Sequence, residues 1–284
     1  MNDKIAVIVD SGSDVPPSVL SANQNVAVVP LTVTYGGRDY HDGVDLTPTE
    51  FYTHLRGAAE LPQTASPAPL AVEEQMRALF ARGYTHILGV TISSALSATH
   101  QTFKLAAQEF PDGKVTIMDT KSIGIGSGLQ AVYALELIAG GMQFTDLVAR
   151  VAASIAKSHV YFYVPTLSYL QAGGRIGRVA GLVGSVLKIK PVISCGPDGV
   201  YYVVHKTRSE AKTMAKMVQQ VSDDLAGGCG RIGVANGDNL ELQATVAAML
   251  EQATGRAVDY QGDISPSLGV HTGPGLVGIG VQID

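Results

Sequence analysis

Five of the eleven residues in TISSALSATHQ (91–101) are Ser or Thr. They follow HILGV (86–90), an apolar run that reads as a buried strand, and ALSATHQTFKLAAQEF has the apolar spacing of a helix. A strand handing over to a helix is where open α/β sheets bind ligands. Ser93 or Ser94 can cap a helix beginning near Ala95, but Ser97 and Thr99 then remain in surplus. A helix N-terminus carries unsatisfied N–H groups and a partial positive charge, so added hydroxyls suit an anion. With no Lys or Arg in the stretch, a single carboxylate fits better than a triphosphate.

Other residues could join this chemistry. Thr64 in LPQTASP reads, alone, as a turn hydroxyl satisfying local backbone. His271 in GVHTGPG is the one histidine of seven embedded in glycines, at an expected strand end where backbone can approach a ligand. Arg175 in AGGRIGR and Lys188 and Lys190 in LKIKP are cations beside glycine or proline, and the two lysines read as surface charge. A competing chemistry is a Ser–His nucleophile pair, which needs His271 within reach of Ser93 or Ser94, an orienting acid and an exposed elbow. The sequence has no Gly-x-Ser-x-Gly elbow. A Ser/His-dependent lipid hydrolase or acyltransferase is thus the alternative, and no catalytic residue is assigned.

Nucleotide and metal chemistry find little support. Gly124, Gly126 and Gly128 in SIGIGSGLQ precede a helix, but their Gly-x-Gly-x-Gly spacing departs from the dinucleotide fingerprint, and no phosphate-loop lysine motif is present. Asp10, beside Ser11 and Ser13, reads as an Asx-turn closing the first strand, and Asp42 and Asp45 as solvated caps. Cys195 and Cys229 stand far apart, outside any Cys-x-x-Cys pair, and read as core thiols in a reducing compartment. No metal site and no cofactor are expected.

The elements that must hold these residues alternate in type. KIAVIVD (4–10) reads as a strand, followed by turn residues and a helix opened by Pro16 and Pro17. VAVVPLTVTYGGRDYHDG reads as a strand, a Gly-Gly turn and a return strand. Thr47, Pro48 and Glu50 form a capping-box pattern for a helix, and LPQTASPAPL reads as an ordered loop. Strands at 85–92 and 114–119 alternate with helices at 95–110 and after Gly128, which implies parallel strands with crossovers. Beyond a helix near 145–157, the spacing gives a strand at 160–165, a hairpin turning at Pro197-Asp198-Gly199, two helices and a glycine-interrupted terminal strand pair over GVHTGPGLVGIGVQI. The architecture is two α/β domains facing across a cleft, residues 1–158 and 159–284.

With 284 residues, 46% hydrophobic and 16% charged, the chain can bury a large core. A formal charge of −5 leaves no basic footprint for nucleic acid. The five apolar residues between Lys4 and Asp10 are too few for a signal peptide, and no run approaches a membrane span. A cytoplasmic protein with no integral membrane segment is expected.

Seven stretches taken in order, VDSGSDV, QTASP, TISSALSATHQ, MDTKSIGIGSG, YLQAGGRIG, LKIKP and GVHTGPG, resemble the DegV family of bacterial fatty-acid-binding proteins from about residue 4 to the C-terminus. Departures at Ala95, Ala98 and Thr120, where the family commonly has Gly, Gly and Ser, keep the residues small or hydroxylated. The resemblance implies an N-terminal three-layer α/β/α domain with a mainly parallel sheet, a C-terminal α/β domain with a mixed sheet, and one long-chain fatty acid between them. It implies a carboxylate held by Thr64 and Ser94, with Ser93 and His271 nearby, and contacts to the acyl chain or a partner from Arg175, Gly126 and Leu268. It further implies a carrier with no nucleotide site of its own, which presents the acid to a partner fatty acid kinase for acyl phosphate formation. Transient contact with a membrane surface would allow lipid exchange.

Overall fold

The structure, a computed structural model, describes residues 3–58, 60–183, 189–226 and 228–284. Strand β1 (Ile5–Asp10) is apolar at every position before its terminal Asp, as a strand covered on both faces must be. It lies between β2 (Val26–Val29) and β6 (His86–Thr91), and β6 pairs with β7 (Val115–Asp119), giving a parallel sheet of order β2-β1-β6-β7. Alternation splits β1 between two cores: Ala6 and Ile8 pack with α3 (Pro69–Ala81) and α4 (Thr99–Ala107). Ile5, Val7 and Val9 face α5 (Ile125–Ala139) and α6 (Phe144–Ile155). That is the expected three-layer arrangement, and α1 (Pro17–Ala22), with Pro17 at its first position, leads out of the β1 end.

The second sheet begins at β8 (His159–Tyr163). Its order is β10-β9-β8-β13-β11-β12, with β9 (Lys190–Cys195), β10 (Tyr201–Thr207), β11 (Gly230–Gly237), β12 (Tyr260–Asp263) and β13 (Leu276–Ile283). Only the β11–β12 pair is parallel, so the sheet is mixed. Tyr161, Tyr163, Val277 and Ile279 face α8 (Glu210–Leu225) and α9 (Leu240–Thr254), whereas Val160, Phe162 and Leu276 join the core around α5. Helix α5 is therefore sandwiched between the sheets. Its close approach depends on glycine: a Cβ at Gly280 would lie 3.0 Å from the Gly126 backbone nitrogen.

Between these bodies sits a three-stranded antiparallel sheet of β4 (Arg38–His41), β3 (Thr32–Tyr35) and β5 (Gln63–Ala65). Gly36 and Gly37 form the β3–β4 turn with φ of +57° and +74°, the conformation that a two-residue hairpin favours. Helix α2 (Pro48–Arg56) starts with the expected capping box of Thr47 and Glu50. Two short helices, α7 (Ser168–Ala172) and α10 (Pro266–Thr272), and a 3-10 helix at Gly177–Leu182 lie beside these sheets.

Five expectations change. Helix α5 begins at Ile125, so Gly126 and Gly128 lie inside it and do not precede it. Pro30 separates β2 from β3, and the two strands join different sheets because proline cannot donate to a ladder. The loop around Thr64 is strand β5. Helix α4 starts at Thr99, because the chain turns first over 94–98, where the Leu96 and Ser97 N–H groups donate to the Ser93 carbonyl. The GVHTGPG segment supplies the end of α10, so His271 lies on a helix and only the later part of the expected strand pair is a strand.

Candidate functional site

The turn over 94–98 decides which hydroxyl faces inward. The Ser93 hydroxyl is buried, donates to the Gly199 carbonyl at 3.0 Å, and accepts from the Ala95 N–H at 3.2 Å. Ser94 is exposed, and its hydroxyl accepts from Lys121 Nζ at 3.1 Å. Neither residue lines the interior space between the sheets; Ser97 does. Of the serines in this stretch Ser97 is the one on the wall of that space, with its Oγ 2.8 Å from Thr99 Oγ1. The surplus of hydroxyls over one cap signalled the stretch, but the register of the turn, which the sequence does not display, selects the residue.

That space spans about 700 Å³ when its open mouth is included. Leu31, Ile92, Ile123, Ile125, Phe162 and Leu276 give it an apolar wall. Phe162 and Tyr201 meet edge to face, with centroids 5.1 Å apart, and both line it. Leu268 of α10 lines it as well, whereas Gly126 sits in the α5 packing against β8 and β13.

Polar groups gather at one end. Thr64 on β5 and His271 on α10 are joined by a hydrogen bond of 2.8 Å between Oγ1 and Nε2. Arg175, just past α7, donates from Nε to the Leu96 carbonyl at 3.2 Å and from Nη1 to the Gly173 carbonyl at 2.7 Å. The first bond ties the guanidinium to the turn that carries Ser97. Arg175 takes part in none of the ion pairs among the described residues. Thr64, Arg175 and His271 also line a second, polar recess with Leu61, Pro62 and Gln63, so they stand between the apolar space and an outer vestibule.

Burial, then the Arg175 charge, lowers the His271 pKa to about 4, so the ring is neutral at neutral pH. Its Nδ1 is buried and has no partner. Gly173 leaves room for this ring: a Cβ there would lie 2.1 Å from Nδ1. No acid orients the imidazole, and its hydrogen-bonded hydroxyl belongs to Thr64, so the Ser–His pair required by a hydrolase is not formed among the described residues.

The remaining candidates fall elsewhere. Lys190 donates to the Pro165 carbonyl and lies over the Tyr163 ring, and Lys188 lies outside the described residues. Asp45 is exposed as expected, but Asp42, expected to be solvated, is 2% exposed. It is enclosed beside Ser11, whose hydroxyl donates to it at 2.8 Å. Cys195 is partly buried, while Cys229, expected in the core, is exposed. No group of three or more metal-ligating side chains is found among the described residues, and none of their helices is long and apolar enough to cross a membrane.

Residues 4–284 match the family model described as "Uncharacterised protein, DegV family". A DegV domain-containing protein of Clostridium acetobutylicum is 36% identical over 280 residues, 98% of each chain. The structure described as fatty acid binding of a DegV family protein from Thermus thermophilus superposes with a TM-score of 0.89, at 31% identity over 100% of both chains. A stearic acid-binding protein from Eubacterium ventriosum gives a TM-score of 0.87 at 26% identity, covering 99% of this chain and 98% of that one.

Proposed function

The chain belongs to the DegV family, and from that premise we propose that it binds one long-chain fatty acid in the space between its sheets. The observation that carries the reading is the Arg175 guanidinium, without a carboxylate partner among the described residues, beside the Thr64–His271 hydrogen bond at the mouth of an apolar cavity. An alkyl chain buried at about 0.8 kcal/mol per methylene supplies on the order of 11 kcal/mol for a sixteen-carbon acid before the costs of association. The tail provides affinity, and the mouth fixes direction.

The head-group chemistry follows from the donors available. A Thr hydroxyl has one proton to give. If the neutral His271 carries its proton on Nε2 and donates to Thr64 Oγ1, the Thr64 proton is free for a carboxylate oxygen. Ser97 offers a second hydroxyl and Arg175 the charge, while the bare Nδ1 rests against Gly173. The ligand carboxylate then lies at the vestibule, reachable from outside. That supports a carrier acting in the cytoplasm, which presents the acid to a partner fatty acid kinase for acyl phosphate formation.

Mass spectrometry of an organic extract of the purified protein, compared with the Thr64→Ala, Ser97→Ala double variant, tests binding. The expected result is a stoichiometric fatty acid in the parent and a depleted one in the variant. An empty parent that takes up no added fatty acid would sink the reading. The carrier step is tested by adding a fatty acid kinase and ATP to the loaded protein, and an acyl phosphate formed equally well from free fatty acid would remove the need for presentation.

A further inference from the structure

The end of α10 away from the mouth meets a cluster of carboxyl groups. Asp10 ends β1, Asp14 follows the short 3-10 turn Ser11–Ser13, and Asp42 follows β4. All three line one groove with Ser265 and Pro266. Asp10 and Asp42 are 1% and 2% exposed, and each of the three carboxyls keeps one buried oxygen without a partner. The other oxygens are engaged. The Ile92 N–H donates to Asp10 at 2.9 Å, the Ser11 hydroxyl to Asp42 at 2.8 Å, and the Ser265 N–H to Asp14 at 3.1 Å. Asp14 adopts a left-handed backbone with φ of +46°, uncommon for a residue with a side chain, at the point where its carboxyl reaches Ser265.

Ser265 and Ser267 bracket the start of α10, and the same helix contributes Leu268, His271 and Thr272 to the cavity. We propose that Asp14 is a positioning residue of the lipid site. By accepting the Ser265 N–H it clasps the first turn of α10, and through that helix it seats Leu268 in the cavity wall and His271 against Thr64. This rests on the fatty acid reading for its functional meaning, but the clasp itself can be measured in the unloaded protein.

The charges around the clasp give it a pH dependence. Asp42 acts on Asp10, both act on Asp14, and Tyr52 of α2 faces Asp14, Asp263 and Asp42. Among the described residues no Lys, Arg or His lines the groove. Burial raises all three carboxyls, Asp10 to about 7. The closed clasp therefore holds protons more tightly than an opened, hydrated one, and by linkage opening becomes easier as pH rises above the ordinary carboxylate range.

The test uses the full chain, with and without stearic acid, and reads amide hydrogen exchange over residues 267–272 and the rate of stearate release. Asp14→Ala should raise both by on the order of tenfold, the cost of leaving a buried N–H unpaired, while Asp14→Asn, which keeps an acceptor oxygen, should restore most of the loss. Ser265→Pro removes the donor without touching a carboxyl, and the φ of −58° at Ser265 suits proline; it should act like Asp14→Ala. Release should also quicken between pH 5 and pH 7.5, and less so in Asp10→Asn. Unchanged exchange in both Asp14→Ala and Ser265→Pro would overturn the clasp. So would release that stays constant while the melting temperature falls, since that marks a purely structural role. A parent that takes up no stearate but shows the exchange changes would keep the clasp and defeat the fatty acid reading alone.

Discussion

At its C-terminal end α10 carries His271, which burial and Arg175 strip of its proton; its N-terminal end meets Asp10, Asp14 and Asp42, which burial drives toward keeping theirs. Both ends thus shed charge as they enter the interior, by opposite movements of a proton. They differ in what stays charged. The mouth retains the Arg175 guanidinium, and the groove at the other end has no comparable group among its described lining residues. Only one end of the helix can draw an anion, so under the proposed reading one arginine and a few hydroxyls set the orientation of a fatty acid.

The severest challenge to that contrast is Arg175→Glu, which makes the mouth resemble the other end. Fatty acid affinity should fall by on the order of a thousandfold, measured by titration, because a buried anion would face a like charge; an unchanged affinity would show that the tail alone orients the ligand. Next in size is stability against pH. The neutral His271 favours the fold increasingly as pH rises from its depressed value near 4 to the ordinary 6.5, by up to about 3 kcal/mol. Asp10 works the other way, losing at most about 4 kcal/mol as pH rises from 3.8 to about 7. Denaturant titrations over this range should show a steeper decline with pH in His271→Gln and a shallower one in Asp10→Asn.

Smaller changes sharpen the picture of the mouth. Gly173→Val should push the imidazole off Thr64, weakening binding by on the order of tenfold. Nuclear magnetic resonance should then find the His271 pKa moving back toward 6.5. The smallest contrast lies between two serines: Ser97→Ala should cost about 1 kcal/mol of fatty acid binding, and Ser94→Ala less than about 0.5 kcal/mol. Equal losses at the two positions would return the carboxylate contact to Ser94.

The readable parts of the sequence were those governed by short-range chemistry. The capping box at Thr47 and Glu50, the Gly36-Gly37 turn and the unbroken apolar run of β1 each follow from a few neighbouring residues. The hydroxyl stretch around Ser97 and the isolated His271 could likewise be seen as unusual. Three features could not be read from spacing alone. The inward residue of the 94–98 turn depends on where Ser93 finds its partner, the Gly199 carbonyl 106 residues away. Arg175 stands out in the sequence only as a cation among glycines, and its place at the mouth comes from its bond to the Leu96 carbonyl. Asp42 looks solvated until Ser11 and α10 close over it. One miss had a local signal: Ser265 followed by Pro266 is a helix start, and it predicts α10 where a strand was expected.

The apolar cluster around α5 joins Ile5 to Leu276, the first strand to the last. On the ribosome, that cluster stays incomplete until β13 has been made. Contacts so distant in sequence close late and slowly. The apolar faces of α5 await β13 in the meantime as surfaces that a chaperone would recognise.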